Sequence, residues 1–205
     1  MSVKVKICGL TNLPDAAAAT NAGADLLGFV FAPASPRCVT LATVADIARQ
    51  LPAHVVKVGV FVNPPAELVR QAVGECGLGW LQFHGEETPE FCTRFGLSSV
   101  KAFRVRDECS LQALKDYPTD AWLLDAYDEK QSGGTGRTFN WELAVAAQKF
   151  GRPIFLAGGL TPANVAEAVR RVRPFAVDVS SGVESSPGRK DHTKVAAFIQ
   201  AAKGA

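Results

Sequence analysis

Five side chains of the types that move protons or grip polar ligands end short β-rich runs: Cys8, Gln82, His84, Asp125 and Asp178. A thiolate or an imidazole can take a proton, a carboxyl group can give one, and a carboxamide can orient a hydroxyl. Two glycine-bearing segments carry a second chemistry. Gly158 and Gly159 lie in Ala157-Gly158-Gly159-Leu160-Thr161-Pro162, and Gly182 follows Ser180 and Ser181 in Ser180-Ser181-Gly182-Val183-Glu184. Glycine lets the backbone approach an anion closely, and free N–H groups at a helix start carry the positive end of its dipole. A short extra helix is expected to begin within 182–185, and a phosphorylated small molecule suits such a pair of loops. Arg37, in Ser35-Pro36-Arg37, offers a planar guanidinium fork for a carboxylate. Gly133-Gly134-Thr135-Gly136 is followed by Arg137-Thr138, so it reads as a mobile loop near the site and not as a nucleotide P-loop.

The elements that must position these groups recur along the chain. Eight β-rich runs, 3–8, 26–31, 56–61, 80–84, 99–105, 121–126, 154–157 and 175–180, are each followed by a stretch with helical apolar spacing. Asn63-Pro64, Thr88-Pro89 and Thr161-Pro162 supply a capping oxygen and a proline that needs no hydrogen-bond acceptor, which predicts helix starts there. This alternation predicts a closed (β/α)₈ barrel, one domain over 1–205, with the phosphate site on the loops after the seventh and eighth strands. A doubly wound open sheet is the competing architecture, but the first run ends in Cys8-Gly9-Leu10-Thr11 with no G-x-G-x-x-G turn. Strand alternation puts Val3, Val5 and Ile7 toward the helices and Lys4, Lys6 and Cys8 inside the barrel. The same parity turns Gln82 with His84, Asp125 with Leu123, and Asp178 with Ser180 to one face. Singly, each has a structural reading: a core thiol, a loop-capping Asp, a packed His, a surface Arg. Together, four strands would be placing costly polar groups in one interior.

Composition narrows the partners. Hydrophobic residues make up 47% and charged residues 20% of the 205 residues, which suits a globular core. The 22 basic and 20 acidic residues leave a net charge of +2 without a basic run, so nucleic acid is a poor partner. The apolar stretches fall short of the roughly 20 residues that cross a bilayer, and the N-terminus lacks an apolar signal core, so a cytoplasmic location without membrane contact is expected. Five cysteines, Cys8, Cys38, Cys76, Cys92 and Cys109, have neither disulfide nor zinc spacing. No metal site is expected, and either a monomer or a homodimer is compatible with the barrel.

Six motifs in order, Lys6-Ile7-Cys8-Gly9-Leu10-Thr11, Ser35-Pro36-Arg37, Leu81-Gln82-Phe83-His84-Gly85, Gly133-Gly134-Thr135-Gly136, Leu156-Ala157-Gly158-Gly159-Leu160 and Asp178-Val179-Ser180-Ser181-Gly182-Val183-Glu184, resemble the phosphoribosylanthranilate isomerases of tryptophan biosynthesis almost from end to end. The resemblance implies a (β/α)₈ barrel performing a cofactor-free Amadori rearrangement of N-(5-phosphoribosyl)anthranilate to 1-(2-carboxyphenylamino)-1-deoxyribulose 5-phosphate. It further implies Cys8 as general base and Asp125 as general acid. Arg37 would meet the anthranilate carboxylate, and Gly158, Gly159, Ser180, Ser181 and Gly182 the phosphate. Gln82 and His84 would line the pocket, with Asp178 on the sugar hydroxyls or as a second acid. Asn140 stands where that pattern has Asp, before Trp141, and still serves as a helix cap. The competing readings are a related phosphosugar isomerase or epimerase barrel and a non-catalytic phosphosugar-binding barrel.

Overall fold

The computed structural model describes residues 2–126 and 141–205. The Gly133–Gly136 segment and Asn140 lie outside them. Eight parallel strands close into a barrel in sequential order: β1 (Lys4–Ile7), β2 (Leu26–Val30), β3 (Val56–Phe61), β4 (Trp80–Phe83), β5 (Ser98–Val105), β6 (Ala121–Ala126), β7 (Ile154–Leu156) and β8 (Ala176–Val179). β1 pairs with β8 to complete the ring, in a register that sets Lys6 beside Asp178. Helices α1 (Leu13–Asn21), α2 (Leu41–Arg49), α3 (Ala66–Glu75), α4 (Pro89–Thr93), α5 (Trp141–Gln148), α6 (Val165–Val172) and α7 (His192–Lys203) cover the outside.

Alternation builds two apolar layers from the same strands. Inside the barrel Leu26, Val58, Val100, Leu123, Phe155 and Ala176 fill the lower part, with Val56 and Trp80 packed against them. Val5, Ile7, Leu27, Phe29, Leu81 and Phe83 face outward and bury against the helices. Each such side chain removed from water contributes about 1.5–3 kcal/mol. The packed lower interior leaves space only above it, where the strands end. Lys4 has the inward parity but sits at the bottom rim, exposed and paired with Asp25 at 3.0 Å.

Three expectations about the connections need correction. After β5 the chain forms a 3₁₀ helix, Cys109–Asp116, in place of an α-helix. Its buried residues Leu111 and Leu114 are three apart, which aligns them at three residues per turn, and Tyr117-Pro118 stops the turn. Thr88 caps α4 as its sequence predicts, accepting the Phe91 N–H, whereas Asn63 does not cap α3. Asn63 holds a left-handed backbone (φ 48°) and accepts the Glu86 N–H at 2.7 Å, which ties the β3 loop to the β4 loop. Thr161 does not cap α6 either: the helix starts at Val165, and the Asn164 amide turns back to the Thr161 N–H and the Gly159 carbonyl. That amide braces the glycine loop at the cost of a regular first turn.

Candidate active site

A cavity of about 330 Å³ opens over the C-terminal ends of the strands. Cys8 follows β1, Gln82 and His84 come from β4 and its end, Asp125 from β6 and Asp178 from β8, and all five line its wall. Arg37, from the loop after β2, lines it too. So do Gly158 and Gly159 after β7, and Ser180, Ser181 and Gly182 after β8. Every site residue expected from the sequence therefore reaches one cavity. Cys38 is exposed and off that wall.

Beneath the cavity floor, the Lys6 ammonium sits 3.0 Å from Asp178 Oδ1, with the lysine fully buried. Cys8 lies beside it. A Cβ on Gly28 would fall 2.8 Å from Cys8 Sγ and 3.0 Å from Lys6 Nζ, so only glycine at that position of β2 leaves room for both groups. Burial dominates the thiol and pushes its pKa above the ordinary 9.0; Lys6 pulls it down and Asp178 pushes it up again. At neutral pH the free site therefore holds a thiol. Burial also works against the Lys6 charge, but the Asp178 carboxylate, joined by Cys8 when it ionises, outweighs it and holds the Lys6 pKa above its ordinary value.

On the other side, Gln82, His84 and Asp125 form a row. Gln82 Nε2 is 3.2 Å from His84 Nδ1, and His84 Nε2 is 3.5 Å from Asp125 Oδ2. If the amide donates to Nδ1, the ring N–H left to His84 is on Nε2, pointing at the Asp125 carboxyl group. Gln82 Oε1 is buried with no hydrogen-bond partner among the described residues.

Arg37, expected from the sequence to offer its guanidinium to a carboxylate, already holds one within the chain. Its Nε and Nη2 donate to Glu184 Oε1 and Oε2 at 2.8 and 2.6 Å. Glu184 begins a small hairpin, β9 (Glu184–Ser186) with β10 (Arg189–Lys190), and the buried Lys190 ammonium donates to Glu184 Oε1 at 2.9 Å and to the Ser180 carbonyl at 3.1 Å. Burial would raise the Glu184 carboxyl, yet Arg37 and Lys190 hold its pKa below the ordinary value. Sequence reasoning gave Glu184 and Lys190 no role. Arg37 and Glu184 stand 147 residues apart, and no local pattern joins them.

The two glycine loops meet. Gly158 and Gly159 adopt φ of 82° and 67°, open to glycine at little cost. A Cβ on Gly182 would stand 2.0 Å from the Leu160 carbonyl oxygen, so a side chain there would force the loops apart. The extra turn is a 3₁₀ helix over Ser181–Val183, earlier than expected, because Glu184 is drawn into the hairpin. Ser180 Oγ is buried without a partner among the described residues.

A closed parallel barrel that gathers ionisable groups around one cavity at its strand ends is the architecture of the (β/α)₈ barrel enzymes. Residues 5–201 match the family model described as N-(5'-phosphoribosyl)anthranilate (PRA) isomerase. The chain is 53% identical over 201 residues to the N-(5'-phosphoribosyl)anthranilate isomerase of Pelobacter propionicus, covering 98% of this chain and 96% of the relative. With that of Geobacter sulfurreducens it shares 54% over 202 residues, 98% and 99% of the two chains. The crystal structure of the Thermotoga maritima phosphoribosyl anthranilate isomerase superposes with a TM-score of 0.94 at 42% identity, covering 99% of this chain and all of the other. Another such isomerase, in complex with reduced 1-(o-carboxyphenylamino)-1-deoxyribulose 5-phosphate, gives 0.90 at 40% identity, covering 99% of this chain and 100% of that one. The chain belongs to the N-(5'-phosphoribosyl)anthranilate isomerase family. It is an isomerase of tryptophan biosynthesis.

Proposed function

We propose that the mouth of the barrel rearranges N-(5'-phosphoribosyl)anthranilate with Asp125 as general acid and Cys8 as general base. Asp125 gives its proton to the furanose ring oxygen as the ring C–O bond breaks, and the nitrogen lone pair forms the Schiff base. Cys8, as thiolate, takes the C2′ proton, and the electrons of that C–H bond give the enolamine. Protonation at C1′ and loss of the 2′-hydroxyl proton complete the ketose. Lys6 limits the cost of the buried thiolate, since its charge is the one that favours ionisation most directly. His84 orients Asp125, Gln82 and Asp178 receive the sugar hydroxyls, and Arg37 meets the anthranilate carboxylate. Gly158, Gly159, Ser180, Ser181 and Gly182 cradle the phosphate.

The observation that carries this reading is that Cys8, Asp125, Arg37 and both glycine loops line one cavity. The reading needs no metal or cofactor and no nucleic-acid or membrane partner. One barrel domain acts in the cytosol as monomer or homodimer; the Thermotoga maritima relative is described as dimeric, and monomers generated from it superpose on this chain. Loss of substrate fluorescence reads the turnover directly. Cys8→Ala and Asp125→Ala are each expected to lower kcat by roughly 10²- to 10⁴-fold with circular dichroism unchanged. Near-normal turnover by either variant removes that residue from its role.

A further inference from the structure

We infer that Glu184 is a positioning residue for carboxylate recognition: it fixes one edge of Arg37 so that the other edge faces the cavity. The inference rests on the reading of Arg37 as the carboxylate site. A guanidinium has five N–H donors, and the contacts to Glu184 occupy Nε and one of the two on Nη2. Three donors remain, two on Nη1 and one on Nη2. They lie along the end of the fork, an edge that can itself take a second carboxylate in two parallel hydrogen bonds.

The alternative is that Glu184 stands in for the ligand and leaves when it binds. Its surroundings argue against this. Glu184 Oε1 also accepts from Lys190 Nζ at 2.9 Å and from the Gly188 N–H at 3.4 Å, and both charged side chains are buried. Releasing it from Arg37 would leave a buried carboxylate and a buried ammonium with fewer partners, a costly state. The arginine is held along its stem as well. A Cβ on Gly9, whose φ is 74°, would fall 2.5 Å from Arg37 Cδ, so the aliphatic part lies across the bare Gly9 backbone. The Arg37 N–H donates to Ser35 Oγ at 3.1 Å. Lys190 extends the brace to the Ser180 carbonyl, so the hairpin fixes the arginine and the start of the last glycine loop from one point.

The test compares two stable ligands by titration calorimetry: the reduced 1-(2-carboxyphenylamino)-1-deoxyribulose 5-phosphate and its phenylamino counterpart without the carboxylate. Glu184→Gln is expected to weaken the first by roughly tenfold, because the amide can no longer accept from both Arg37 nitrogens and Lys190 together, and to leave the second within about twofold. Arg37→Ala is expected to abolish the preference for the carboxylate, and adding Glu184→Gln to it should change nothing further. With the natural substrate, KM rises in Glu184→Gln and kcat holds. If Glu184→Gln weakens both ligands alike, or neither, the positioning role is overturned while the Arg37 reading stands. If Arg37→Ala keeps the preference, the Arg37 reading itself fails. Should the single variant not fold, Glu184→Asp, which keeps the buried charge but is too short to hold both Arg37 nitrogens and Lys190, is read by the same two ligands.

Discussion

Two buried lysine–carboxylate pairs show how the same chemistry serves different ends in one barrel. Lys101 on β5 meets Glu87 at 2.9 Å, and Lys6 on β1 meets Asp178 at 3.0 Å. Their parity differs: Lys101 points out toward the helix layer, between the inward Val100 and Ala102, whereas Lys6 points into the barrel. Glu87 accepts from the Asn63 N–H at 2.7 Å and the Gly85 N–H at 3.0 Å, and Lys101 also donates to the Gly85 carbonyl. That cluster is closed on itself and binds the β3 and β4 loops together. The Lys6 pair is open: Asp178 lines the cavity, and the ammonium also acts on the Cys8 thiol. A buried charge with all its partners in the protein supports structure, and one with a side left toward a cavity is available to a ligand.

Breaking each pair at its lysine separates the two roles. Lys101→Met strands Glu87 in the interior, and we expect a loss of roughly 3–5 kcal/mol in urea unfolding. The folded fraction should lose far less kcat than Lys6→Met does, since neither Lys101 nor Glu87 lines the cavity. Lys6→Met leaves Asp178 at the cavity, where water can reach it, so less stability is lost. Its kcat, however, should fall on the order of 10²-fold, as expected when a charge that favours the reacting anion is removed. Equal effects of the two substitutions on kcat would erase the distinction. A gentler probe is Gly28→Ala, whose methyl must displace Cys8 Sγ or Lys6 Nζ; a roughly tenfold or greater fall in kcat is expected.

The pH dependence sharpens the same contrast. Because the Cys8 pKa is raised and the thiolate is the active form, kcat/KM should climb with pH through and beyond the neutral range. Lys6→Met should move that limb to still higher pH. A flat profile would remove Cys8 as the titrating base. The smallest effect concerns stability. The folded-state pKa of Glu184 lies below its ordinary 4.5, so its contribution is fully present above that value and is lost as pH falls through the folded pKa. Glu184→Gln should therefore flatten the acid limb of a stability curve below about pH 4.5, measured by urea midpoints.

Much of the fold was legible because a parallel strand buried on both faces leaves a short β-branched run, and each of the eight runs overlaps an observed strand to within two residues at either end. Thr88-Pro89 was legible as a helix start because the cap acts within four residues. Asn63 and Thr161 carry the same local signal, yet contacts to Glu86 and to Asn164 redirect them, and nothing in the dipeptide reveals those neighbours. The site followed the strand ends for the same reason the strands were found: parity alone turns Cys8 and Gln82 inward.

By itself the sequence determined the order of the elements, the inward parity of Lys6 and Cys8, and the places where glycine admits a close backbone, since these depend on chain geometry over a few residues. Only the tertiary structure decided that Lys6 would meet Asp178, that Gly28 would clear space for both Lys6 and Cys8, and that Glu184 would hold Arg37 by one edge. Barrel closure decides those pairings: joining β8 to β1 brings together side chains as far apart as 172 residues, and distance along the chain carries no information about contact across a closed ring.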